Sequence, residues 1–216
     1  MVLSLVGPLP LLQGQDGSVS IVPRAGIHSV ESPRVDLTRI EPGPRLAGGG
    51  TAGFGESAIV GVGVDVDLPP PWLDLRVSLD RTVGAEVAST DIPFRTDASL
   101  TTLGTDILFR PLPSARLARP LLAVGWGMTR FALEGRVPDT AVLDGSRIEG
   151  ALRLGLGVDL AWGPSIVRLE VMDSISLLGI GGTRSVLPAQ EAIHATIGSG
   201  VPNDFLITVG AVIPLD

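Results

Sequence analysis

The chain has 216 residues, 44% of them hydrophobic, no cysteine and a formal net charge of −7. The missing cysteine excludes disulfides, thiolate catalysis and cysteine-ligated metals. The acidic balance, with arginine as the sole basic residue type, argues against the basic footprint of a nucleic-acid binder. Mean hydropathy is +0.41, yet no apolar run reaches the roughly 18 residues of a transmembrane helix, and hydropathy spread over many alternating segments is how a membrane barrel distributes it.

Residues 1–14, ending at Gly14, resemble the hydrophobic part of a truncated secretory signal that lacks its basic start. The remainder, 15–216, reads as one β-barrel domain. Its strands follow in order, each with a period of two, the signature of a strand whose two faces differ. The first, 18–30, is weakened by Pro23 and Gly26. The second, 56–68, sets Val60, Val62, Val64, Val66 and Leu68 against Gly61, Gly63, Asp65 and Asp67. The third, 72–87, sets Leu73, Leu75, Val77 and Leu79 against Asp74, Arg76, Ser78 and Asp80. The fourth, 101–110, carries Leu103, Ile107 and Phe109, and the fifth, 120–133, opposes Leu122, Val124, Trp126 and Met128 to Ala123, Gly125, Gly127 and Thr129. The sixth, 151–162, has leucines at 152, 154, 156 and 160 facing away from Arg153, Gly155, Gly157 and Asp159. The seventh resumes after Gly163-Pro164-Ser165 with Val167, Leu169 and Val171 against Arg168 and Glu170, and the eighth is 204–215.

The connections carry as much information as the strands. Those at 69–71, 111–119 and 163–165 are short, whereas 31–55, 88–100, 134–147 and 176–203 are long, the first and last of them rich in glycine. Short alternating with long is the asymmetry of an up-and-down transmembrane barrel, with tight periplasmic turns and extended outer loops. Within the last loop, AQEAIHATI at 189–197 has the composition of a short helix. Pro23 and Pro214 mark strand ends or a locally unpaired edge where the first and last strands meet, because proline has no N–H to give the ladder.

The polar faces choose between water and lipid. They combine both signs of charge (Asp74, Arg76, Asp80, Asp106, Arg110, Arg153, Asp159, Arg168 and Glu170) with repeated Gly and Ala. A solvent face needs no such small residues, but a narrow barrel interior does, and there opposite charges can pair. The uniform Leu/Val face then meets lipid, and Arg168 with Glu170 is the leading pair expected in the lumen. Trp72, Phe109 and Trp162 flank the short turns as interfacial aromatics, and Trp126 and Phe131 lie toward the opposite rim.

The eight-strand plan, with WLDLRVSLD at 72–80, VRLEVMDSIS at 167–176 and NDFLITVGAVIPL at 203–215, resembles the small bacterial outer-membrane β-barrel domains of the OmpA/OmpX/OmpW-like group. The resemblance spans about residues 18–216. It implies an outer-membrane location, the lipid bilayer as surroundings and insertion by the barrel-assembly machinery. The residues indicate no cofactor and no metal. Asp65 and Asp67 alone are too few ligands for a cation, and the Gly61/Gly63 and Gly155/Gly157 pairs sit inside strands with no phosphate-loop context. His28 and His194 are the only histidines, with no nucleophile-elbow or paired-histidine spacing around them. The reading is a non-enzymatic barrel serving envelope structure, surface interaction or limited passage of small molecules. Two alternatives use the same strands: a soluble periplasmic lipocalin-like barrel holding a small apolar ligand, and a lipid-modifying enzyme built on one of the histidines.

Overall fold

The computed structural model describes residues 18–30, 35–40, 46–89, 94–115, 117–137, 141–163, 165–180, 184–186, 192–197 and 203–215. Thirteen strands run through them: β1 (Val19–Val30), β2 (Val35–Ile40), β3 (Leu46–Phe54), β4 (Ser57–Leu68), β5 (Leu73–Val83), β6 (Ala85–Ser89), β7 (Phe94–Phe109), β8 (Ala118–Val137), β9 (Ala141–Trp162), β10 (Ser165–Ile180), β11 (Arg184–Val186), β12 (Ala192–Ile197) and β13 (Asn203–Leu215). Eight of them close a ring in the order β1, β4, β5, β7, β8, β9, β10, β13, each antiparallel to the next and β13 returning to β1. Closure leaves the ring itself no edge strand, the condition for crossing a bilayer with strands.

The pleat sorts the side chains as the alternation predicts. Leu154 and Leu156 are 43% and 64% exposed, whereas Arg153 beside them is 1% exposed. The same inversion holds along β4, β5, β7, β8, β10 and β13, so exposed Val, Leu and Ile girdle the outside while Arg24, Arg76, Arg153 and Arg168 are enclosed. An apolar belt of this extent is a surface for acyl chains. It also excludes the lipocalin-like alternative, in which the leucines of β9 would line a central cavity.

At the tight end of the barrel, β4 joins β5 through Pro69–Trp72, β7 joins β8 through 110–117, and β9 joins β10 at Gly163, whose φ of 61° suits a residue without a Cβ. At the other end the strands continue where long loops are expected. β7, β8, β9 and β10 begin or end well inside 88–100, 134–147 and 176–203, and β2, β3, β6, β11 and β12 form there too. The expected third strand, 72–87, is two strands, because Gly84 with a φ of 68° separates β5 from β6. β6 then carries on beside β7 and opens a ladder through β3 and β2 to β12 that projects beyond the ring. The expected helix at 189–197 is not formed over its described part. Ala192–Ile197 pairs with β2 because AIHATI alternates at period two and meets the equally alternating VDLTRI. Residues 1–14 and 189–191 lie outside the described residues.

The seam between β1 and β13 is interrupted at one point. Ile21 pairs with Ile213 and Arg24 with Gly210 in one continuous register, but Val22 and Pro23 between them have no partner on β13, and Pro23 has no N–H to donate.

Arginine placed on the outer face tests the inversion. Val77→Arg, at mid-height of the belt, should lower stability in phosphatidylcholine bilayers by about 2–4 kcal/mol, whereas Leu112→Arg in the β7–β8 connection should be nearly neutral. Denaturant unfolding from the bilayer reads both, and a neutral Val77→Arg would mean that the outer face meets water.

Candidate functional site

The lumen is built from the inward parity of the eight ring strands, and its lower half is a chain of ion pairs. Arg168 on β10 donates from Nε to Asp159 Oδ1 at 2.6 Å and from Nη2 to Asp159 Oδ2 at 3.0 Å, a forked contact with the neighbouring strand β9. Its Nη1 reaches across to Asp65 Oδ2 on β4 at 2.6 Å. The other oxygen of Asp65 accepts from Arg76 Nε of β5 at 2.9 Å, and Arg76 Nη1 reaches Glu170 on β10 at 2.7 and 2.8 Å. β5 and β10 stand four places apart in a ring of eight, so the Arg76–Glu170 pair spans the barrel from wall to wall. Arg24 on β1 adds a fork to Asp80 at 2.8 and 2.5 Å and lies 4.0 Å from Glu170.

The remaining charges attach to this chain. Arg110, nearest the tight turns, pairs with Asp74 and lies 3.6 Å from Asp159 and 4.0 Å from Asp65. Arg153 Nε stands 3.2 Å from Asp106 Oδ1. All nine charged residues singled out from the sequence therefore face the lumen, but Arg168 and Glu170 do not pair with each other. Residues two apart on one strand point the same way side by side, and each finds its partner on another strand instead. Arg24 and Asp65 belong to the network as fully as the rest. Asp65 is read from the sequence only as half of a weak cation pair, and Arg24 is hidden by Pro23 and Gly26, which blur the alternation of β1.

Glycine makes room for these side chains. A Cβ at Gly104 would run into the Arg153 guanidinium, one at Gly127 would sit 2.8 Å from Arg153 Cδ, and one at Gly61 would strike the Asp80 carboxylate. The rest of the interior is mostly apolar or neutral, with the buried Arg147–Glu149 pair at 3.0 Å and the buried Asp204 as further charges. Leu108, Ala123, Met172, Leu206 and Ile59 form a buried cluster beside the charges. Toward the projecting end, Thr82 Oγ1 accepts from the Leu100 amide at 2.9 Å and Ser176 Oγ donates to Glu149 Oε2 at 2.8 Å. Phe131 is fully buried against Phe54, ring centroids 5.9 Å apart, and does not lie on an exposed rim as expected. Its odd position on β8 puts it on the lumen face, opposite to Trp126, which is exposed.

Trp72, Phe109 and Trp162 are exposed beside the tight turns, and Trp72 meets Phe109 edge to face at 5.5 Å. His28 is buried opposite Ser57 of β4, and Asp204 stands two positions along β13 from the residue opposite His28. The Ser57 hydroxyl makes no hydrogen bond among the described residues, so the imidazole is not set to take its proton. His194 lies in β12, away from the ring. No cluster of three or more metal-binding side chains occurs among the described residues.

No protein family matches the chain, and no curated protein does. Solved structures do. The outer membrane protein OprG from Pseudomonas aeruginosa matches with a TM-score of 0.56 at 13% identity, over 91% of this chain and 97% of that one. Neisserial surface protein A matches at 0.51 and 10% identity, over 90% and 96%. A major outer membrane protein from Thermus thermophilus matches at 0.50 and 11% identity, over 91% and 99%. The fold is that of a small outer-membrane β-barrel. At such low identity the likeness is one of fold alone, the closed ring of eight antiparallel strands.

A double-mutant cycle separates pairing from burial in this barrel. Arg76→Met alone should destabilise by about 3–5 kcal/mol by leaving Asp65 and Glu170 with an unmatched charge, and Arg76→Met with Glu170→Leu should recover a large part of that loss. Denaturant unfolding from bilayers measures both. Additive losses would mean that the two side chains do not interact.

Proposed function

We propose that the chain spans the bacterial outer membrane as a non-enzymatic barrel, closed to bulk passage, whose projecting strands serve envelope structure and surface interaction. The observation that carries this reading is the Arg76–Glu170 contact at 2.7 Å between opposite walls, continued through Asp65 to Arg168 on the Arg76 side and approached by Arg24 on the Glu170 side. An eight-stranded ring encloses only enough space for side chains or one small ligand, and here paired side chains occupy it. The charged residues are the filling of the barrel. Of the roles open to the sequence, passage of small molecules is the one that this lumen serves least.

The tight turns belong on the periplasmic side, and the ladder of β6, β3, β2 and β12 projects outward, where loops of such barrels meet other surfaces. Trp72, Phe109 and Trp162 then sit at the inner interface. Insertion falls to the barrel-assembly machinery, as for barrels of this architecture. A hydrolytic role on His28 lacks support: the imidazole and Ser57 are both buried and the hydroxyl is not engaged by it.

Planar-bilayer recording tests the closed lumen. The folded wild-type chain should show no sustained conductance, and Arg76→Ser with Glu170→Ser should produce frequent openings. Stable steps from the wild type would contradict the reading.

A further inference from the structure

Outward positions on β5, β7 and β8 are uncharged from the tight turns upward until one row is reached. There Arg81 of β5 pairs in register with Thr101 of β7, and Thr101 with Arg130 of β8. The three share the outward parity of Leu79, Leu103 and Met128 one step below, and both arginines are exposed. Neither guanidinium makes an ion pair among the described residues, although the lumen arginines beside them are all matched. The next acids of this parity stand four positions further along, where Asp97 of β7 is in register with Glu86 of β6 and Glu134 of β8, about 13 Å away along the strand at roughly 3.3 Å per residue.

The height of the row is informative. Nine residues separate Trp72 from Arg81, which for strands tilted about 40° is roughly 23 Å, one thickness of the apolar band of a membrane barrel. Arg81 and Arg130 are two strand spacings apart, about 10 Å, so two long side chains can converge on one group with the Thr101 hydroxyl between them. Arginine forks match phosphate oxygens. A phosphate monoester carries about −1.5 to −2 charge near neutral pH and is matched by two arginines, whereas the diester of a glycerophospholipid carries a single charge.

We propose that Arg81, Thr101 and Arg130 form an external site for the phosphomonoester headgroup of a glycolipid in the outer leaflet. The proposal rests on the outer-membrane reading and gives that surface a specific lipid partner.

Native mass spectrometry of the full chain, folded into phosphatidylcholine nanodiscs doped with phosphorylated lipid A or with phosphatidylglycerol, provides the test. The wild type should retain lipid A in preference to phosphatidylglycerol. Arg81→Gln with Arg130→Gln should lower lipid A retention by about tenfold or more while leaving phosphatidylglycerol unchanged. Arg81→Lys with Arg130→Lys, which keeps the charge and loses the forks, should fall between. Equal retention of lipid A by wild type and glutamine variant, or equal retention of both lipids by the wild type, overturns the site. Heat-modifiable gel migration reports insertion separately: a chain that does not fold in the nanodisc contradicts the membrane reading, whereas a folded chain without lipid preference contradicts only the site.

Discussion

An arginine enclosed in an eight-stranded ring must find its counter-charge inside the ring, because the wall around it faces hydrocarbon. Arg76 meets this constraint by bridging to Asp65 near its own side and to Glu170 on the opposite wall. Much of the structure follows from that reach. Glycine stands where a guanidinium or carboxylate must pass, as at Gly104 and Gly61. In the network around Arg76 the paired charges come from different strands, so each of these pairs ties two walls together. A lone charge in such an interior would carry the full desolvation penalty, which is why the network holds together as a chain rather than as isolated pairs.

The outer face obeys the complementary constraint. Hydrocarbon accepts Leu, Val and Ile without discrimination, so their identity along β4, β5 and β9 carries little information beyond being apolar, and the aromatic residues collect at the ends. Trp72 and Phe109 touch at the tight-turn end, and Arg81 and Arg130 mark the other. Between these levels the ring strands present no outward charge on β5, β7 or β8, and the first to appear are arginines. The two faces therefore divide the labour: the inside fixes the shape, and the outside fixes the depth.

The barrel is legible in the sequence because a period of two survives translation into a pleated sheet without any tertiary knowledge. Val60 to Asp65 and Leu152 to Asp159 state their faces outright. The partners inside the lumen are not legible, since pairing depends on the stagger of strands around the ring; Arg168 finds Asp159 and Asp65, not its sequence neighbour Glu170. Phe131 departs from its expected rim position because distance along a strand says nothing about which face a residue takes, while its parity does. The projecting strands escape sequence reading where glycine breaks the hydrophobic pattern, as in LAGGGTAGF of β3, and where AIHATI offers helix-forming composition but an alternating order. There the neighbouring strand decides the outcome, and a single sequence does not display its neighbour.

The inversion of faces is the claim on which the rest depends, and the absence of native cysteine lets it be read one position at a time. Single cysteines at Asp74 through Asp80 of β5, spin-labelled in a bilayer, should show oxygen accessibility with a period of two, high at Leu75, Val77 and Leu79 and low at the positions between. Access by a water-soluble nickel reagent should be low at those three. If instead 75, 77 and 79 are open to the water-soluble reagent and closed to oxygen, the apolar face does not meet lipid and the account is wrong.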